Sequence, residues 1–176
     1  MVEWWEVMAV VIISQRLCEL YIAKKNRIRV IAEGAQEFGR GHYPLFFLLH
    51  IGWLIGWITE YSLSSGEVSE LWYIWFSLFV IAQSLRYWCM VSLGQMWNTR
   101  ILVIPGKILI DKGPYHFLSH PNYIAVAIEL VSIPLIFGAV ITAAAATALN
   151  IILTLGIRIP AENRALQLGK ADHAAR

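Results

Sequence analysis

The sequence predicts an all-α integral membrane protein of five transmembrane helices, the last two forming a tight helical hairpin. Three observations carry this expectation. The 176-residue chain is 58% hydrophobic with a mean hydropathy of +0.59, more apolar and less charged than a soluble domain of that length. It breaks into five apolar segments, three of them close to the roughly 20 residues that cross a bilayer. Outside those segments, lysine and arginine occur only in alternate connections and in the C-terminal tail.

In chain order the segments are 4–23, 43–60, 71–93, 123–137 and 139–157. The first has no basic residue ahead of it and no A-x-A-like cleavage site after it, so it reads as a retained helix. The second contains His50, expected to hydrogen-bond a neighbouring helix. The fourth spans about 22 Å, short of a hydrocarbon core of about 30 Å. Only Gly138 separates it from the fifth, so Pro134 is expected to set a kink and Gly138 a turn. The small-residue run Ala143 to Ala148 would let the fifth helix approach a neighbour closely. Between Gly94 and Gly113 the pattern changes, and 101–104 with 108–110 read as a short β-like hairpin about Pro105-Gly106.

Topology follows from the charges. Lys24, Lys25, Arg27, Arg29 and Arg40 follow the first segment; Arg100, Lys107 and Lys112 precede the fourth; Arg158, Arg164, Lys170 and Arg176 follow the fifth. The alternate regions hold Glu3, Glu6, Glu60, Glu67 and Glu70 with no lysine or arginine. The positive-inside rule then places the N-terminus outside and the C-terminus in the cytoplasm, which five crossings satisfy. Trp4, Trp5, Trp72, Tyr73 and Trp75 read as an interfacial aromatic belt at the outer ends. A net charge of +2 without a basic, aromatic-interleaved patch argues against nucleic acid as a partner. Cys18 and Cys89 lie in apolar runs, as buried thiols do, and suggest neither a disulfide framework nor a zinc site.

Two polar stretches stand out: G-P-Y-H-F-L-S-H-P-N-Y at 113–123 and R-I-P-A-E-N-R-A-L at 158–166. His116 and His120 are four apart, but Pro121 pushes His120 out of helical geometry and no third ligand is near, so no metal is expected. His120 instead suits a hydrogen-bonding role at the start of the fourth helix, with Pro121 in its first turn and Asn122 and Tyr123 at the same entrance. A helix N-terminus of that kind suits a carboxylate or ribose. Arg158, Glu162 and Leu166 recur every four residues on one helical face, and the hairpin brings that face to His120. Deeper in the segments, Arg16 and Glu19 pair at i, i+3, while Arg86 and Glu129 either pair between helices or line an internal pocket.

Leu93-Gly94-x-x-Trp97, the Gly113-Pro114-Tyr115 turn, the block Ser119-His120-Pro121-Asn122-Tyr123 and the ending Arg158…Glu162…Leu166 resemble the isoprenylcysteine carboxyl methyltransferase family. These are integral-membrane enzymes that use S-adenosylmethionine, and the resemblance spans residues 93–166. It implies S-adenosylmethionine-dependent O-methyl transfer at the cytoplasmic face, leaving S-adenosylhomocysteine. Trp97, Gly113, Tyr115, His120, Pro121, Tyr123 and Glu162 would hold the cofactor, and Arg158 and Glu162 would be catalytic. Arg158, His116 and Glu129 would meet a lipophilic acceptor entering from the bilayer. The chain departs from the family where Ser119 replaces an arginine, where Ala161-Glu162 keeps one of two acids, and where a glycine after the tyrosine is absent. The acceptor is thus left open between an isoprenylcysteine-like carboxylate and an alkylpyrone- or alkylphenol-like hydroxyl.

The residue types suit that chemistry. Aromatic faces at Trp97, Tyr115 or Tyr123 stabilise a sulfonium, Glu162 suits an amino group, and His120 a carboxylate or ribose. Arg158 suits an anionic acceptor, while a neutral phenol needs a base such as His116 or His120. The whole chain, 1–176, reads as one unit: 1–93 a three-helix scaffold, 94–176 the cofactor-binding half. A reading from another class is a small transporter using Arg16, Glu19, Arg86 and Glu129 as a polar pathway.

Overall fold

The computed structural model describes residues 3–64, 66–107 and 110–174, with side chains through Leu168. Its described residues form a mostly helical bundle of α1 (Trp4–Ala32), α2 (Tyr43–Leu63), α3 (Trp72–Leu93), α4 (Pro121–Ile136), α5 (Val140–Leu153) and α6 (Ile159–Ala174). A π-helical turn over Thr154–Arg158 joins α5 and α6 into one continuous helix. α2, α3 and the α5–α6 helix are long and apolar enough to cross a membrane, and α4 is a shorter apolar helix. Val91 is 81% and Ile141 76% exposed, an outer surface suited to lipid rather than water. The chain is a multi-pass membrane protein.

The helices alternate in direction. Trp5 of α1 packs on Tyr61 near the end of α2, Ser69 N–H donates to Ile136 O beside the start of α3, and the α5 N-terminus meets Glu60 of α2. That last contact is a cap supplied from another helix. Ala139, the N-cap of α5, makes no side-chain capping bond, and Glu60 accepts from Ile141 N at 2.9 Å, Thr142 N at 2.8 Å and Thr142 Oγ1 at 2.7 Å. Gly56 permits the approach, since a Cβ there would sit 3.0 Å from the Thr142 side chain.

Gly138 acts as expected, and Pro134 lies within α4 beside it. Gly138 takes φ 67° in the turn, and Ala139 N donates back to Pro134 O at 2.9 Å. Proline also deprives Leu130 O of its helical donor, and the Trp53 indole of α2 supplies one at 3.0 Å. α1 runs past the expected end at residue 23 because its lysines, arginines and alanines favour helix as well as its apolar residues do. It stops at Gly34, φ 92°, with Ala35 N on Val30 O.

Of the expected hairpin only one arm and the turn fall wholly within the described residues, and that arm has a partner the sequence did not suggest. Ile101–Val103 (β2) and the Pro105-Gly106 turn are present, but β2 pairs antiparallel with Gln36–Phe38 (β1), Gln36 opposite Val103. Ile108 and Leu109 lie outside the described residues. The pairing is set by charge. Glu37 of β1, 4% exposed at its side chain, accepts from Arg27 at 2.9 Å, Arg40 at 3.1 Å and Arg100 at 2.5 Å. Two further expectations change. Cys18 is exposed on α1, and His50 bonds Phe46 O of its own helix at 2.7 Å rather than a neighbour.

The four charges inside the segments pair between helices. Glu129 of α4 accepts from both Arg16 of α1 and Arg86 of α3, and Glu19 accepts from Arg16 at 2.5 Å and Arg86 at 3.4 Å. Glu129 is 2% and Arg86 3% exposed. Removing one member strands its partners, so Glu129→Ala is expected to cost about 3–5 kcal/mol. A melting point in detergent close to that of wild type would refute it. At the ribbon, burial raises the Glu37 carboxyl but the bonds from Arg100 and Arg27 override it, holding it at about 2. The folded value lies below the ordinary one, so this stabilisation is full above 4.5 and lost as pH falls through about 2. Glu37→Gln should flatten that acid dependence and lower stability by about 1–3 kcal/mol at neutral pH. An unchanged acid limb in the variant would count against the clamp.

Candidate functional site

At the end of the bundle away from Trp5 and Tyr61, the two polar stretches converge. α4 starts at Pro121, with His120 as its N-cap and no capping side chain. The Tyr123 hydroxyl, one turn in, donates to Glu162 of α6 and accepts from Arg158 Nε at 3.1 Å. Arg158 also donates to Thr99 O at 2.8 Å. The His120 ring stacks on Tyr123 with centroids 5.5 Å apart, and its Nδ1 lies 3.8 Å from Glu162. Among the described residues Arg158 and Glu162 make no direct ion pair; the Tyr123 phenol stands between them.

The π-helical turn keeps these groups together. Pro160 has no N–H for the carbonyl of Gly156, and its ring crowds that oxygen. The backbone widens so that Ile159 N donates five residues back, to Thr154 O. Asn150, Thr154, Arg158, Glu162 and Leu166, spaced by four, all line one cavity. On an α-helix that spacing drifts by about 40° per step, about 160° over the series. The extra residue of the π turn takes back about 100°, so all five stay on the cavity face.

The cavity has a volume of about 800 Å³, at the upper end for a small-molecule site. β2 covers its mouth by packing Ile101 and Val103 on Ala165 of α6. Among the expected site residues, Trp97, Tyr115, His120, Tyr123, Arg158 and Glu162 line it. Trp97 is 3% exposed, and its Nε1, like Asn122 Oδ1, has no partner among the described residues. Burial, then the neighbouring Cys89 thiol, pushes the Tyr115 phenol above its ordinary value, so it stays neutral. Pro121 is buried in the first turn of α4.

The remaining expected residues lie elsewhere. Gly113, φ 57°, lets its loop close on α3, where a Cβ would meet Ser92 Oγ at 2.1 Å. His116 is exposed and bonds Asp111 at 3.2 Å. Glu129 is held by Arg16 and Arg86. Among the described residues no group of three metal-ligating side chains occurs. The structure adds lining residues that the sequence reading passed over: Tyr43 and Phe46 of α2, Thr99, and Asn150 of α5. Asn150, the one amide in an otherwise apolar helix, was the available signal.

An apolar helical bundle with His, Tyr, Arg and Glu gathered at one rim defines a polytopic membrane protein with a cavity between its helices. The chain belongs to the isoprenylcysteine carboxyl methyltransferase family, whose model matches residues 75–168. An uncharacterized protein of Bacillus subtilis (strain 168), YpbQ, is 40% identical over 164 residues, covering 93% of this chain and 96% of that one. An uncharacterized protein of Haemophilus influenzae is 22% identical over 156 residues, 88% and 90% of the two chains. No solved structure matches.

The Tyr123 hydroxyl links α4 to α6 through two bonds to charged groups. Tyr123→Phe is expected to lower stability by about 2 kcal/mol. Chemical denaturation in detergent measures it, and an unchanged midpoint would show that the phenol bridge carries no weight.

Proposed function

We propose that this chain is an S-adenosylmethionine-dependent O-methyltransferase acting on a carboxyl or hydroxyl oxygen of a lipophilic acceptor. The observation that carries the reading is the meeting of His120, Tyr123, Arg158 and Glu162 at the mouth of a largely apolar cavity, in a chain of this family. The donor set fits the cofactor. Glu162 offers a carboxylate to an amino group, His120 and Asn122 offer hydrogen bonds to a carboxylate or ribose, and Trp97 and Tyr115 offer aromatic faces to a cation. When bound, S-adenosylmethionine supplies an electrophilic methyl group.

The protein's own contribution is alignment and exclusion of water. Arg158, already fixed by Thr99 O and the Tyr123 hydroxyl, presents a cation to an acceptor carboxylate or enolate and holds it ionised. An ionised oxygen needs no strong base. For a neutral phenol, His120 beside Glu162 is the candidate base, and exposed His116 lies outside the cavity lining.

In this reading α1 and α4 complete five crossings, and the acceptor enters from the bilayer. The basic connections put the rim and the C-terminus in the cytoplasm and the N-terminus outside. The transporter alternative is less well supported. Arg16, Glu19, Arg86 and Glu129 are bonded to one another in one cluster rather than strung along a path.

Calorimetric titration of the detergent-purified protein with S-adenosylhomocysteine is the test. One saturable site is expected, weakened at least about tenfold by His120→Ala and by Glu162→Ala in folded protein. Absence of binding by folded wild type in both detergent and lipid would overturn the proposal.

A further inference from the structure

The cavity does not end at the rim. It continues past Phe46 and Val126 to Arg16, His50 and Asn150, at the level of the buried charges. Tyr123 bonds the rim and Glu129 bonds Arg16, and the six-residue step from one to the other along α4 sets that depth at about 9 Å. The wall along the way is apolar, with Phe47, Ile51 and Leu54 of α2 facing Ile12 and Ile13 of α1.

Three groups at the deep end have bonding capacity to spare. Asn150 is 3% exposed; its Oδ1 accepts from Thr154 Oγ1 at 3.3 Å, and among the described residues its Nδ2 has no partner. Exchanging the amide O and N leaves the other atom unbonded instead, so the deficit does not depend on that assignment. Neutral His50 donates from Nδ1 to Phe46 O, which leaves Nε2 as an acceptor with no partner among the described residues. Arg16 gives its two terminal nitrogens to Glu19 and Glu129 and keeps 22% of its side chain accessible. Asn150 Nδ2 and His50 Nε2 open onto the cavity, so each keeps a hydrogen bond to offer to whatever occupies the space beside it.

Charge defines the occupant. Arg16 and Arg86 are balanced by Glu19 and Glu129, so the deep end offers no net charge to an anion. It offers donors at Asn150 and Arg16 and an acceptor at His50, which together suit a neutral oxygen group. We infer that Asn150, His50 and Arg16 form a second polar subsite for a hydroxyl or carbonyl carried about 9 Å along the tail of the lipophilic acceptor. The inference rests on the reading of the rim as the methyl-transfer site. It makes the deep end a determinant of specificity, because a plain hydrocarbon tail leaves the amide unpaired.

The probes are octadecanoic acid and its derivatives hydroxylated at carbon 3, 8 or 12, competed against radiolabelled octadecanoic acid on the full chain in nanodiscs with S-adenosylhomocysteine present. The carbon-8 compound is expected to bind about tenfold more tightly than octadecanoic acid, the other two not. Asn150→Leu should erase that preference and leave S-adenosylhomocysteine affinity within about twofold; Asn150→Ala replaces it if the leucine variant does not fold. A series without positional preference, including one in which nothing binds, overturns the subsite. So does a preference that survives both substitutions. S-adenosylhomocysteine binding alone reports on the rim: its loss with the carbon-8 preference intact sinks the methyltransferase reading and keeps the subsite.

Discussion

Two arginines and two glutamates in the middle of the bundle constrain everything around them. Each ionised group would cost about 2.5–3.5 kcal/mol alone at a helix centre in a bilayer. Arg16 and Glu19 come from α1, Arg86 from α3 and Glu129 from α4, and each arginine bonds both glutamates. The helices therefore have one rotation and one depth at which all four charges are paired. α1, whose apolar stretch is interrupted by Arg16 and Glu19, is held by this arrangement and by Gln15, which bonds Gln83 of α3 at 2.5 Å. With those three helices fixed, the cavity between them has a defined floor.

Two prolines act on the bundle through the backbone rather than through charge. Pro134 removes a donor near the α4–α5 turn, and Trp53 of α2 replaces it. Pro160 removes another at the junction of α5 and α6, and the helix answers with a π turn. The first proline ties α4 to α2. The second rotates α6 so that Glu162 reaches Tyr123 and Leu166 still faces the cavity. In both places a missing N–H is answered by a specific structural feature, because an unpaired carbonyl within the bilayer has no water to turn to. Glu37, gathering Arg27, Arg40 and Arg100, then holds the β ribbon where it covers α6.

Much of this was legible in the residues, for reasons that can be named. Apolar length marked α2, α3 and α5, and Gly138 marked the turn between α4 and α5, since both signals are local. The spacing of Arg158, Glu162 and Leu166 marked a shared face, and the short connection at Gly138 marked which element that face would meet. The partner of Ile101–Val103 was not legible. Strand pairing depends on which backbone lies alongside, and Gln36–Phe38 is more than sixty residues away in the chain. Asn150 was passed over although its amide stood out in an alanine-rich helix, because what it faces depends on neighbouring walls that only the packing supplies. The π turn was not read from the sequence either: the period of four from Asn150 to Leu166 becomes evident only once the cavity shows that these residues share a wall.

By itself the sequence determined the class of protein, the number and order of its apolar segments, and the residues of the rim, because hydropathy, proline, glycine and charge act over a few neighbouring residues. Only the tertiary structure decided that Arg16, Glu19, Arg86 and Glu129 pair in one cluster, that the Tyr123 phenol rather than a direct ion pair joins Arg158 to Glu162, and that the cavity runs from rim to cluster. The physical reason is the same in each case. Such contacts lie between residues distant in the chain, and their geometry exists only once helix rotation and depth have been fixed by burying those charges together.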